Sequence, residues 1–251
     1  MEWRCDTQRV DIAKAKSKVQ ERLVLLYLRL NGFFISGFIA HSPVQNQALT
    51  EIDALAVRMP HSAEPEREVG PHELLDLSSE HTDLVICEAK SRGGQLCFNQ
   101  ALTAEPHAAA KVLRWSGLFL ETEVPALATN LQRVLAPRPL PSDAPPTIIG
   151  PREARVRCLL FSLERNARHP NQAWFITGTE VFDYVHRCLS PSEPRASCST
   201  SYDFGLWGDG EPIVRYFKER RGQSPGDMNQ LYQFLSIGRL QRRAVELEAD
   251  A

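Results

Sequence analysis

Apolar residues recur at helical spacing from about Asp11 to Asn31, at Ile12, Ala15, Val19, Leu23, Leu26, Tyr27 and Leu30. Asn31-Gly32 ends this helix, because glycine tolerates the left-handed cap. Phe33 to Ala40 is aromatic and β-branched and predicts a strand. A polar turn, His41 to Gln47, leads into a second strand, Glu51 to Met59, which Pro60 stops. His61 to Glu80 is charged and poor in aromatics. It predicts a loop, with a short strand at Leu74 to Leu77. Asp83 to Lys90 is the clearest strand of the chain, and Gly93-Gly94 breaks it. Gln95 to Leu120 is rich in Ala and Leu and reads as helical, with Pro106 interrupting or starting a helix.

Ala136 to Pro151 holds prolines at 137, 139, 141, 145, 146 and 151 and predicts a stiff extended linker or surface loop. Strands follow at Ala154 to Glu164 and Ala173 to Thr177, then a helix capped by Thr179 and running to Leu189. Ser190 to Ser201 reads as loop. Further helices are predicted near Glu211 to Arg221 and Asp227 to Glu248. Helix, three strands, helix, two strands and helix predict an α/β fold with a mixed central sheet flanked by helices. The strands beyond the proline-rich stretch continue the same sheet. The expectation is one domain over residues 1–251, with a core at 12–190, the proline-rich loop at 136–151 and a helical C-terminal extension at 202–251.

Composition narrows the picture little. The hydrophobic fraction is 43% and the charged fraction 24%, ordinary globular usage that excludes collagen-like, coiled-coil and wholly disordered chains. A net charge of -2 does not announce a polyanion partner. The longest apolar run, Leu23 to Leu28, is far below the roughly 18 residues a membrane helix needs. The N-terminus has no secretory core. A soluble, cytoplasmic protein without a membrane partner is expected. The six cysteines form no CxxC pair, and Cys87, Cys158 and Cys188 sit in apolar runs as small hydrophobes. The histidines have no zinc-ligand spacing and are read as surface or loop residues, and no phosphate-binding glycine loop occurs.

The charged residues inside strands carry more information. In Asp83 to Lys90, alternation puts Leu84, Ile86, Glu88 and Lys90 on one face, so a carboxylate and an ammonium end an otherwise apolar strand. Asp is depleted in strands, yet Asp53 stands within Ile-Asp-Ala-Leu-Ala-Val. Strict alternation sets it on the face of Glu51, Leu55 and Val57, opposite Ile52, Ala54 and Ala56. Glu21 ends an apolar stripe with Val24, Leu25 and Leu28 and faces the sheet. Three carboxylates and a lysine converge if this helix packs on the sheet, and such an oxygen-rich site suits a hard divalent cation such as magnesium.

Glu in the first helix, Asp in a strand and Glu-x-Lys at the end of the next strand resemble the PD-(D/E)xK nuclease superfamily, with its restriction-endonuclease-like fold. The residues are Glu21, Asp53, Glu88 and Lys90, and the likeness covers about residues 12 to 120. Ile52 stands where the motif's Pro would be, and His61 to Glu80 reads as an insertion in the core hairpin. Members often place a Gln or Lys in the following helix. Gln95 and Gln100 are the candidates, and Gln100 joins the site set. The resemblance implies a metal-dependent phosphodiesterase acting on nucleic acid, DNA first. Asp53, Glu88 and the Ala89 carbonyl would hold Mg2+, or Mn2+ as a substitute, with Glu21 acting directly or through water. Lys90 would position the attacking water and steady charge on the phosphate.

Basic groups at Arg92, Lys111 and Arg114 are read as candidates to flank the site for substrate contact, while the two downstream clusters, Lys218, Arg220 and Arg221, and Arg239, Arg242 and Arg243, are read first as solvated helix faces, with phosphate binding as the second reading. Trp207, Tyr202 and Phe204 are read as core aromatics before base-stacking ones. The competing class is a non-catalytic module of the same fold, binding DNA or a partner protein in a defence or repair assembly. An RNA-directed enzyme is the third reading. Weak net charge implies that local basic patches, a homodimer or a partner protein hold the substrate.

Overall fold

The computed structural model describes residues 2–41, 48–63, 68–91, 93–136, 139–190 and 204–237. The turn over 42–47, the loop over 191–201, Tyr202, the helix tail beyond 237, and Arg92, Arg239, Arg242 and Arg243 lie outside the described residues. Helix α1 (Glu2–Leu30) begins earlier than its periodicity predicts. It ends as Asn31-Gly32 predicts. The Phe33 amide donates to the Leu28 carbonyl at 3.2 Å and the Gly32 amide to Arg29 at 3.0 Å, with Gly32 at φ +83°. This doubly bonded left-handed cap excludes a β-carbon without strain.

Strands β1 (Phe34–His41), β2 (Ala48–Arg58) and β3 (Thr82–Ala89) form an antiparallel meander. The chain then crosses through α2 (Gln100–Ala104), α3 (Pro106–Trp115) and α4 (Val124–Leu135). It passes β4 (Thr147–Ile149) and returns as β5 (Ala154–Ser162), parallel to β3. The other edge of β5 carries β4, antiparallel, and the short β6 (Ile176–Thr177), parallel. The sheet is therefore mixed, with six strands and the order β1-β2-β3-β5-β4. β5 is buried along its whole length and β3 is buried except at its ends, as expected for central strands covered on both faces.

The two faces bury separate clusters. Leu23 and Tyr27 of α1 pack with Val85, Cys87 and Phe161 on one side. That side is completed by Phe182 of α5 (Gly178–Leu189), Phe217 of α6 (Glu211–Glu219) and Leu231 of α7 (Met228–Phe234). Leu102, Leu113 and Leu131 of α2–α4 pack with Leu55, Ile86 and Leu160 on the other. Free thiols Cys87 and Cys158 are buried on opposite sides as small hydrophobes.

Several local expectations are corrected. The predicted helix from Gln95 to Leu120 is two helices, with Pro106 at the start of α3, where its missing N–H costs nothing. Helix α4 has no counterpart in the sequence reading. The proline-rich stretch contains strand β4, tolerated because it lies at the sheet edge. The Leu74–Leu77 segment is a 3-10 turn over Glu73–Leu75. Thr177, rather than Thr179, caps α5: its hydroxyl accepts from the Glu180 amide while Glu180 reaches back to the Thr177 amide. His72 is half-buried, with Nδ1 2.7 Å from the Tyr27 hydroxyl and its ring stacked on Tyr184. Trp207 lies under the Arg29 guanidinium, 4.3 Å away, and packs on the core as read.

The charged insertion is pinned to the sheet by two arginines of β5. Arg155 Nε donates to Asp83 at 2.6 Å across the β3–β5 pair, and Arg155 Nη2 donates to the Asp76 carbonyl at 2.7 Å. Arg157 donates to the Leu75 carbonyl. Asp83 is inaccessible to solvent, so its charge is tolerable only through this pairing. Among the described residues, no helix is long and apolar enough to cross a membrane.

Candidate active site

The pairing of β1 with β2 shifts register at two places, between Ala40 and His41 and, nearer the site, between Ser36 and Phe38. Ser36 opposes Leu55 and Phe38 opposes Ile52, so Gly37 alone faces both Asp53 and Ala54. This is a β-bulge on β2, a device that redirects a side chain. The strict alternation read from the sequence is therefore broken. Ile52 and Leu55, three residues apart, both pack on the α2–α4 side, while Ala54 and Ala56 pack on the α1 side. Asp53 sits within the bulge.

Its carboxylate reaches the end of the neighbouring strand, where Oδ2 accepts from the Ala89 amide at 2.7 Å. Burial raises the Asp53 carboxyl to about 6. The Ala89 hydrogen bond and the Lys90 charge pull it down, while the negative charges of Glu21 and Glu88 push it further up. The helix, the bulge and the end of β3 thus do bring Glu21, Asp53, Glu88 and Lys90 within electrostatic reach of one another. Glu21 itself is partly exposed on α1 and accepts from the Ser17 hydroxyl, one turn earlier, at 2.9 Å.

Glu88 is only 3% exposed, and both its oxygens are engaged. Oε1 accepts from the Asn99 amide at 2.7 Å, and Oε2 holds the Lys90 ammonium. The lysine backbone is fixed against β5: its amide donates to the Phe161 carbonyl at 2.7 Å, and its carbonyl accepts from the Ser162 hydroxyl at 3.1 Å. Lys90 is therefore held from both sides at the C-terminal ends of the two parallel strands, the end of an α/β sheet at which ligands bind.

Two positions were not legible. Asn99 supplies the contact from the crossover to Glu88, and its side chain caps α2 by accepting from the Ala101 amide. Gln100, the predicted helper, is exposed at the first position of α2, and Gln95 is exposed before it. Glu164, two residues beyond β5, lines one cavity together with Ala89, Lys90, Ser17 and Gln20. The Tyr232 hydroxyl donates to Glu164 at 3.0 Å and accepts from buried Gln20 at 2.8 Å. Arg114, read as a group flanking the site, is instead bonded to Glu121 through both Nε and Nη2.

The donor chemistry fits a hard cation, since the site offers carboxylates and peptide groups and neither sulfur nor imidazole. The Asp53 carboxyl is raised by burial first, with the negative charges of Glu21 and Glu88 adding to it. The arrangement is nevertheless a closed one, with Lys90 on the Glu88 oxygen. Among the described residues, no three His, Cys, Asp or Glu side chains are grouped as a metal-binding set. Comparison with known proteins finds no family model, no curated protein and no solved structure that matches this chain.

Proposed function

We propose that this protein is a metal-dependent phosphodiesterase of the PD-(D/E)xK nuclease type, with a restriction-endonuclease-like core, that hydrolyses nucleic acid and DNA first of all. The observation that carries the reading is the Asp53 carboxyl. It is bonded to the end of β3, raised to about 6, and sensitive to the charges of Glu21, Glu88 and Lys90. The element order also supports it: a helix, an antiparallel three-stranded meander, a helical crossover and a strand parallel to the third.

Asp53 and Glu88, with the Ala89 carbonyl and Glu21, would hold Mg2+, or Mn2+ in its place. Bound there, such a cation supplies an acidified water and neutralises charge on phosphate oxygens. The chain's own residues do the rest. Glu88 keeps the Lys90 ammonium at the site in the absence of substrate. The Phe161 and Ser162 contacts hold the lysine backbone still, so its charge is preorganised for the phosphate oxygens as they gain charge. Asp53, bonded to a backbone amide, does not need to reorganise. Cleavage of plasmid and oligonucleotide DNA with magnesium or manganese tests the reading, with loss expected for Asp53→Ala and Lys90→Ala. Intact substrate under all metals and salts, or wild-type rates for both variants, rejects it.

One observation favours a second reading. The Glu88–Lys90 pair closes the site, as it would in a non-catalytic module that binds DNA or a partner protein. Titration calorimetry with magnesium separates the two: a site abolished by Asp53→Asn belongs to the enzyme, and no heat under conditions of DNA binding belongs to the module.

A further inference from the structure

The cavity of about 400 Å³ that holds Lys90 and Glu164 does not end there. A second cavity, of about 630 Å³, shares Lys16 and Glu164 with it and continues past Arg165 and His169 to Asn229. Through these shared residues the two cavities adjoin as a cleft leading away from the C-terminal ends of β3 and β5. Its walls come from four separate parts of the chain, and they are tied together. Gln20 of α1, Tyr232 of α7 and Glu164 share a hydrogen-bonded chain, and Arg165 Nη2 donates to the Gly94 carbonyl at 3.0 Å.

The charges in this cleft are unevenly satisfied. Glu164 accepts from the Tyr232 hydroxyl, and Asp227 accepts from the Gln230 amide at 2.9 Å, capping α7. Lys16, at the junction of the two cavities, has no carboxylate partner among the described residues. Its ammonium rests 4.9 Å from the centroid of the Tyr232 ring, a contact that orients the charge without neutralising it. A lysine held on an aromatic face, beside the proposed hydrolytic site, is a point charge suited to a phosphodiester oxygen.

Resting on the phosphodiesterase reading, we propose that this cleft carries the sugar-phosphate backbone of the substrate strand, with the Lys16 ammonium contacting a phosphate beside the one that is cleaved. Such a contact adds affinity without sequence preference and is dependent on salt.

The test is fluorescence anisotropy of a labelled DNA duplex and of its single strand, in EDTA so that nothing is cleaved, over a series of salt concentrations. Lys16→Ala is expected to bind more weakly to every sequence, with the slope of log affinity against log salt smaller by about one. Lys14→Ala removes the same charge from an exposed position on the same helix, outside the cleft, and is expected to match wild type. Lys16→Arg is expected to restore the slope. Wild-type binding by Lys16→Ala, or an equal loss from Lys14→Ala, overturns the assignment of the cleft while leaving the hydrolase reading standing. Failure of the wild-type chain to bind either probe also overturns the cleft assignment, and only intact DNA under all metals and salts overturns the hydrolase reading with it.

Discussion

The Ala89 amide donates to Asp53 Oδ2 at 2.7 Å, so a side chain continues the β2–β3 ladder beyond its last backbone pair, Ala54 with Cys87. The bulge at Asp53 and Ala54 makes this contact available. With one residue too many opposite Gly37, β2 presents a carboxylate where a regular strand would present its next paired peptide. The hydrogen bond favours the charged form of Asp53, yet burial and two neighbouring carboxylates outweigh it. Asp53 is therefore held in place by its hydrogen bond while its charged form is poorly stabilised.

Asp53→Asn should separate stability from activity. The carboxyl moves from 3.8 to about 6 on folding, so the folded state binds its proton more tightly than the unfolded chain does. Stability falls as pH rises from about 4 through 6, and the deficit is complete above that range. The amide keeps an oxygen for the Ala89 N–H and has no charge to disfavour. At pH 8 the variant should be more stable than wild type by about 1–2 kcal/mol, allowing for partial exposure of the site, and it should have lost cleavage. The gain should vanish near pH 4. Melting curves at both pH values check this, and a variant less stable than wild type at pH 8 contradicts it.

Lys90→Met should be destabilising as well as inactive. Its loss leaves the Glu88 side chain, 4% exposed, with an amide from Asn99 and no counter-ion. Breaking a buried pair in this way costs about 2–4 kcal/mol. Glu88→Gln combined with Lys90→Met removes both charges and should recover most of that stability while remaining inactive. Denaturant titrations of the two single variants and the double variant give the coupling. Additive losses would show that the pair contributes nothing as a pair.

The pattern of residues made some of this visible and hid the rest for physical reasons. The Glu-x-Lys at the end of β3 and the buried cysteine between flanking apolar positions are local features of one strand, and one strand's alternation displays them. The bulge at Asp53 is a property of pairing with β1, and nothing within Glu51 to Met59 signals which residue its neighbour will skip. The Asn99 contact belongs to the backbone, so residue identity does not encode it; a helper role looked for in Gln100 was one position away from the amide that reaches Glu88. Helix α4 follows an exposed Leu120-Glu121-Thr122 turn and has Pro125 in its first turn, which masked its apolar stripe of Leu127, Leu131 and Leu135. Asp83 was placed in a strand without its partner because Arg155 lies 72 residues away.

His72 gives a pH dependence of the opposite sign to that of Asp53. Burial lowers its pKa below the ordinary 6.5, and its ring lies between the Tyr27 hydroxyl and the Tyr184 ring. The unfolded chain then takes up the proton first. Stability is in full above about 6.5 and is lost as pH falls through the folded-state pKa. In the Asp53→Asn background, which removes the opposing slope, the melting temperature should fall between pH 7.5 and 5. Adding His72→Gln should flatten that fall, at the expense of a lower value throughout. Parallel pH profiles with and without His72 would assign the dependence elsewhere.

Gly178→Ala tests the packing of the start of α5, which follows β6, against the segment that leaves β5. A β-carbon at this position would stand 2.0 Å from the Leu163 carbonyl oxygen, and the Gly178 amide donates to the Arg165 carbonyl at 2.8 Å. The obstacle is backbone, so no rotamer change relieves it. Leu163 leads directly into Glu164 and Arg165, which line the cleft beside Lys90 and Lys16. The alanine should therefore destabilise by about 3 kcal/mol, at the upper end of ordinary overpacking. It should also weaken DNA binding at temperatures where the fold is still intact, because the shift is passed to the cleft wall. Gly117→Ala, at a positive φ of 68° but with open space around it, carries the conformational penalty alone and should lose only about 1 kcal/mol. Near-equal melting temperatures for the two variants would show that this packing yields easily and does not brace the cleft.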